Sequence, residues 1–118
     1  MVAKHLVPDG HLSPVTLQIL LALVDNNRHG YGIKLEVEKR TEGAMNLGSG
    51  TLYEAIQRLE TAGYIAEVVA PAGATGRERK RRYYQLAEPG RHVLGAELAR
   101  MEKTVRYAKR KKLIPHPG

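Results

Sequence analysis

The segment from Leu47 to Ile65 constrains the fold more than any other part of this chain, because it carries signals for both ends of one short helix. Apolar residues recur in it at intervals of three and four, which predicts a helix with one buried face. Ser49 or Thr51 is placed to cap its start, and Thr51 with Glu54 has capping-box spacing. Gly63 stands where a left-handed residue commonly ends a helix. The buried face is predicted to comprise Leu52, Ala55, Ile56 and Leu59.

Small residues make up the first turn of this helix, namely Ser49, Gly50 and Thr51. Unpaired backbone N–H groups at a helix start, together with the helix dipole, attract phosphate, and small side chains let it come close. The segment is equally compatible with an ordinary amphipathic helix. The rest of the chain is therefore needed to distinguish a phosphate-binding helix from an ordinary one.

The period of the apolar pattern falls to two after Gly63, which predicts strands over 64–69 and 80–86 joined by a loop over 71–76. Five of the six residues from Arg77 to Arg82 are basic. Like charges this close together on a hairpin repel one another, so an anionic partner would relieve them. A solvated charged loop is the alternative interpretation.

The whole chain is basic as well, with 19 Lys and Arg against 12 Asp and Glu and a net charge of +7. This balance indicates a polyanionic partner, either nucleic acid or an acidic membrane surface. Its 118 residues suit one domain with a modest core, which must be aliphatic because Phe and Trp are absent. The absence of cysteine excludes disulfides and thiolate chemistry. No segment has the pattern of a membrane span or signal peptide, so a cytoplasmic location is expected.

Two further segments with regular apolar patterns precede Leu47. Ser13 followed by Pro14 marks a helix start, and the apolar residues after it face most directions, which predicts a helix buried on most sides. The segment from Tyr31 to Arg40 is ambiguous. Residues 33–38 alternate as in a strand, whereas Glu36 and Arg40 have helical spacing.

A long helix is predicted from Pro89 onward, and apolar residues recur in it with heptad spacing. Such a row is typical of helices that pair with a second chain, although two heptads also allow packing within the chain. Four basic residues, 109–112, close the helix. Positive charge is favourable there because the C-terminal end of the helix dipole is negative. The predicted dimerisation row comprises Leu94, Leu98, Met101, Val105 and Ala108.

The predicted fold is mainly α with a small β-hairpin wing: a winged helix-turn-helix followed by a long C-terminal dimerisation helix. In this plan the third helix enters the major groove and the hairpin contacts the flanking backbone. The predicted division is an N-terminal lead-in over 1–12, a DNA-binding domain over 13–87, a dimerisation helix over 88–114 and a tail over 115–118.

Four motifs in this order strengthen that interpretation. They are His-Gly-Tyr at 29–31, Gly-Ser-Gly-Thr-Leu-Tyr-Glu-Ala-Ile-Gln-Arg-Leu-Glu at 48–60, Gly-Tyr-Ile at 63–65, and Arg-Arg-Tyr-Tyr-Gln-Leu at 81–86 before Gly90 and Arg91. With these motifs the chain resembles the PadR family of bacterial winged-helix transcriptional regulators over roughly Ser13 to Ile114.

The resemblance implies that residues 31–40 are helical and that a homodimer built on the C-terminal helix binds an operator and represses transcription. A twofold dimer of this plan would bind an inverted repeat with half-sites about 10 bp apart. The resemblance also allows a small-molecule effector of unknown identity, which the sequence does not specify. No cofactor is expected. Ala87 stands where the family has a capping threonine, a loss of about 1 kcal/mol.

Ten residues are predicted to contact double-stranded DNA. Ser49 and Thr51 can donate hydrogen bonds to phosphate, and Tyr53 can reach a phosphate or a base methyl, or else lie partly buried under the wing. Arg58 is equally placed to pair with Glu54. Arg81 and Arg82 are expected to point to opposite faces, so at most one of them joins this surface. The ten residues are Tyr31, Lys34, Ser49, Gly50, Thr51, Tyr53, Arg58, Arg77, Arg79 and Lys80.

Two other classes of function compete with this one. Ser49, His29 and Asp25 have the residue types of a catalytic triad, but they fall in separate turns without an oxyanion-hole motif. The five histidines lack metal-ligand spacing, so no catalytic or metal site is predicted. The remaining alternative is a basic interaction adaptor that binds an acidic partner or membrane surface without operator recognition.

Overall fold

The computed structural model describes residues 12–115. Most of the predicted lead-in and of the predicted tail therefore lies outside the described residues. The elements in chain order are α1 (Pro14–Ala22), β1 (Arg28–His29), α2 (Gly30–Arg40), α3 (Ser49–Thr61), β2 (Ile65–Val68), α4 (Gly76–Lys80), β3 (Tyr83–Leu86) and α5 (Glu88–Arg110).

Helix α1 begins as the Ser-Pro pair predicted. The Ser13 hydroxyl accepts a hydrogen bond from the backbone N–H of Thr16 at 3.2 Å, which satisfies one of the unpaired donors of the first turn. The helix is buried on most of its sides, as its composition indicated. Its buried residues are Thr16, Leu17, Ile19, Leu20 and Ala22.

The ambiguous segment is helical and forms α2. Ile33 and Val37, one turn apart, are fully buried against α1 and α3 in the common core. Arg40 pairs with Glu36 across one turn at 3.4 Å. The helical spacing therefore prevailed over the local alternation, because the core contacts α2 along one side only.

Helix α3 buries the four residues predicted for its inner face. Gly63 follows it with a φ of 80°, the predicted left-handed termination. The predicted caps at its start are wrong. Ser49 already has helical conformation, so Gly48 occupies the capping position and no side chain bonds to the first turn. Thr51 and Glu54 lie inside the helix, where a capping box cannot form.

The wing differs from the predicted hairpin. Three antiparallel strands lie in the order β1-β3-β2, and β1, which was predicted as a turn, pairs His29 with Tyr83. The second predicted strand begins only at Tyr83, because Val68 is the last residue of β2 and pairs with it. Among residues 12–115 no strand lies opposite residues 80–82, and most of the basic run belongs to the short helix α4.

Helix α5 closes the core with its N-terminal half and projects beyond it. Leu94 is buried in the core of its own chain, with only 4% of its surface exposed, whereas Leu98, Met101 and Val105 are exposed. Ala87 precedes the helix without a side-chain cap. Within residues 12–115, no helix is both long and apolar enough to cross a membrane.

Candidate nucleic-acid interface

The start of α3 presents backbone donors at the surface. Ser49, Gly50 and Thr51 are all exposed, and the first amide to bond within the helix is that of Leu52, to the Gly48 carbonyl at 2.9 Å. No side chain of the described residues caps this turn. Its free N–H groups and the positive end of the helix dipole therefore form a surface suited to phosphate.

Tyr53 connects this turn to the start of α2. Its ring lies across Gly30, where an added Cβ would come 2.6 Å from Tyr53 Cε1 and 2.7 Å from its hydroxyl. Any larger residue at position 30 would displace the ring. Tyr53 nevertheless keeps 51% of its surface exposed, so its hydroxyl can reach a partner.

Arg81 reaches the same region from the wing. Its guanidinium lies 5.5 Å from the centre of the Tyr31 ring and 3.2 Å from His29 Nδ1. Arg82, its neighbour, bonds to Glu67 at 2.8 Å, and this hydrogen bond raises the pKa of Arg82. The two arginines thus have different surroundings, and only Arg81 rests on α2.

A surface cleft of about 370 Å³ lies between the wing and the starts of α2 and α3. Gly30, Tyr31 and Tyr53 line it from the helices, together with His29 at the cap of α2, and Arg81, Arg82 and Tyr84 line it from the wing. A cationic and hydroxyl-bearing cleft beside an uncapped helix start can bind an anionic backbone. Arg81 and His29 are not among the ten predicted residues, because the pairing of β1 with β3 that brings them together gives no local signal in the sequence.

The other predicted residues divide into two groups. Lys34 donates to Asn46 at 2.9 Å and pairs with Glu38, while Arg58 pairs with Glu54 at 2.9 Å, which was its alternative role. Both cations are therefore paired with side chains of the protein itself. The cations of α4 are exposed and, in the part of the chain that the structure describes, have no acidic partner. They are Arg77, Arg79 and Lys80.

A polar network fastens α4 to the helices. His29 caps α2 by accepting a hydrogen bond from the Gly32 N–H at Nδ1, 2.9 Å away. Glu78 lies 3.1 Å from His29 Nε2 and also accepts a hydrogen bond from the Tyr83 hydroxyl at 2.9 Å. The hydrogen bond from the Tyr83 hydroxyl, helped by the nearby charge of Arg81 and a hydrogen bond from His29, holds the pKa of Glu78 below its ordinary value. Burial and the Glu78 carboxylate raise the pKa of Tyr83.

The histidine of the catalytic alternative has other partners in this geometry. His29 is occupied by Gly32, Glu78 and Arg81 rather than by a nucleophile. Among residues 12–115, no three His, Cys, Asp or Glu side chains are grouped so that they could hold a metal ion.

Comparisons with known proteins agree with the fold. The model of the transcriptional regulator PadR-like family matches residues 19–96. An uncharacterized protein of Lysinibacillus sphaericus is 32% identical over 85 residues, which is 72% of each chain. A transcriptional regulator of Clostridium thermocellum is 27% identical, with a TM-score of 0.66 over 81% of this chain and 87% of its own.

A structure solved with nucleic acid shares the fold. Bacillus subtilis PadR in complex with operator DNA is 19% identical, with a TM-score of 0.61 over 73% of this chain and 47% of that one. A PadR family regulator of Clostridium difficile is 21% identical, with a TM-score of 0.69 over 83% of this chain and 97% of its own.

Proposed function

Because the chain belongs to the PadR-like family of transcriptional regulators, we propose that it acts as a homodimer that binds an inverted-repeat operator in double-stranded DNA and represses transcription. The observation that carries the proposal is the cleft in which Arg81 of the wing meets Tyr31 and Tyr53 beside the exposed start of α3. The operator complex of Bacillus subtilis PadR, which has the same fold, supports DNA as the partner.

In this proposal α3 is the recognition helix. Its exposed first turn faces the edge of the major groove, where free N–H groups and the hydroxyls of Ser49 and Thr51 bind phosphate. Tyr53 follows one turn into the groove and binds a phosphate or packs on a base methyl. Lys34 and Arg58 support the surface through Asn46 and Glu54.

The wing supplies charge beside the recognition helix. Arg77, Arg79 and Lys80 are exposed on α4 and bind backbone phosphates or the minor groove, while Arg81 binds from the cleft. Each phosphate that a cation neutralises releases counterions, so log affinity should fall with log salt by about 0.9 per contact. The wing therefore contributes affinity more than base selectivity.

The exposed side of α5 provides the surface for the second chain. Leu98, Met101 and Val105 leave apolar area in solvent at heptad spacing, and Ala108 is half-buried. Leu94 anchors the helix to its own core, so the intermolecular row begins at Leu98. A twofold axis through this row would place two copies of α3 one duplex turn apart, with half-sites about 10 bp apart.

Selection of binding sites from a random duplex library tests the proposal and identifies the operator. We expect an enriched inverted repeat and a footprint that covers both half-sites. Anionic phosphatidylserine vesicles, assayed in parallel, represent the adaptor alternative. Tight vesicle binding with no enriched duplex, or a footprint over one isolated half-site, would refute operator recognition by a dimer.

The wing assignment is tested by Arg77→Ala/Arg79→Ala. Affinity should fall for all duplex sequences alike, and the salt slope should flatten by roughly one unit per lost contact. Lys39→Ala/Arg91→Ala is the matched control, because it removes two exposed charges outside the wing. If the wing variant keeps the affinity and salt slope of the control, the wing does not contact DNA.

A further inference from the structure

Glu78 is the one acidic residue in the basic run 77–82, so its charge is opposite to that of its neighbours in the sequence. A carboxylate on a surface that meets DNA repels the phosphates. Its contacts offer a reason for its presence: the carboxylate joins the Tyr83 hydroxyl of β3 to the His29 ring at the start of α2. Glu78 thereby links α4 to β3 and to His29, which is the last residue of β1 and caps α2.

The His29 ring is held from both sides. Because Nδ1 accepts the Gly32 N–H, the neutral ring carries its proton on Nε2, which can donate to Glu78. Tyr83 packs edge-on against the same ring, with ring centres 5.2 Å apart. The start of α2 therefore holds the His29 ring in place, and the ring in turn holds the Glu78 carboxylate.

Arg81 depends on this arrangement, because its place against α2 is formed by His29 and Tyr31. We infer that Glu78 is a positioning residue: through His29 and Tyr83 it fixes α4 to the start of α2, so that Arg81 stays beside Tyr53 in the cleft. The inference rests on the proposed DNA-binding function. It assigns Glu78 a positive role in binding a polyanion, despite its negative charge.

Glu78→Ala tests the inference by the sign of its effect on affinity for the selected duplex. If charge alone mattered, removal of the carboxylate would tighten binding. Positioning predicts weaker binding, by about fivefold or more, as for coupled groups in one network. Glu67→Ala is the matched control, because it removes the same charge from the same wing and contacts only Arg82 among the cations of residues 76–82. The control should bind as tightly as wild type or more tightly.

Two variants separate positioning from a general loss of structure. Glu78→Gln keeps an acceptor for the Tyr83 hydroxyl and should retain part of the affinity. His29→Asn keeps a side-chain oxygen that can cap α2 but does not reach Glu78, so it should retain thermal stability and bind DNA as weakly as Glu78→Ala. The double variant His29→Asn/Glu78→Ala should bind no more weakly than either single variant.

Hydrogen exchange of the DNA-free protein makes the two proposals separable. Amides 76–82 should exchange faster in Glu78→Ala than in Glu67→Ala. Tighter DNA binding by Glu78→Ala, additive losses in the double variant, or unchanged exchange would each overturn the inference alone. A wild-type protein that binds no duplex would overturn the proposed function and the positioning role with it, whatever the exchange data show about the contact itself.

Discussion

Gly50 offers a test in which folding and DNA binding should change in opposite directions. It is the second residue of α3, its φ is not in the left-handed region, and an added Cβ would meet nothing within 4 Å. The fold therefore gives no reason for glycine at this position. Alanine is favoured over glycine in helices by up to about 1 kcal/mol. Gly50→Ala should raise the melting temperature by roughly 2–4 °C.

The reason for glycine lies in the proposed complex. If the first turn of α3 approaches a phosphate through its backbone, a methyl group on Gly50 occupies part of that space. Loss of one hydrogen bond to a charged group costs about 1.5–3 kcal/mol. This corresponds to a loss of affinity of roughly tenfold or more.

Thermal unfolding and fluorescence anisotropy with the selected operator measure the two effects on the same preparation. Gly95→Ala is the matched control, since Gly95 is exposed on α5 and its added Cβ also meets nothing within 4 Å. The control should gain stability and keep its affinity. A Gly50→Ala protein that is stabilised and binds as well as the control would show that the backbone of this turn does not approach DNA.

Leu98→Lys/Met101→Lys should convert the proposed dimer to a monomer in light scattering. The stability of the domain should change little, because the two residues are already 38% and 42% exposed. A wild-type protein that is already monomeric would remove the basis for the proposed dimer. Leu94→Ala should instead destabilise the fold by about 2–5 kcal/mol in chemical denaturation, because its side chain is buried. The pKa of Glu78 is lowered by folding, so the stabilisation from its carboxylate is present above the ordinary value of 4.5 and is lost as pH falls through the lower folded value. Tyr83→Phe should move this pKa back toward 4.5 in a carboxyl NMR titration, and an unchanged value would contradict the hydrogen bond.

The sequence by itself determined most of the helical frame. The buried faces of α1 and α3 follow from apolar spacing, and the ends marked by Ser13 and Gly63 follow from local backbone chemistry. These signals act within a few residues, so they can be read without knowing what packs against the helix. The motifs also sufficed to indicate the family, which its family model confirms.

Local pattern was insufficient wherever the outcome depended on a distant partner. The alternating segment became α2 because a core on one side received Ile33 and Val37. The basic run left the predicted strand because β2 ends at Val68.

Only the tertiary structure decided which arginines pair with a carboxylate and which remain available to a partner. Arg58 and Arg82 are held by Glu54 and Glu67, whereas Arg81 rests on α2 because β1 pairs with β3 and brings His29 to it. Chain spacing specifies which residues share a helix face, but the pairing of His29 with Tyr83 also brings Arg81 beside His29, from which it is 52 positions distant. The candidate interface is thus encoded in short motifs, and its geometry is set by long-range contacts between them.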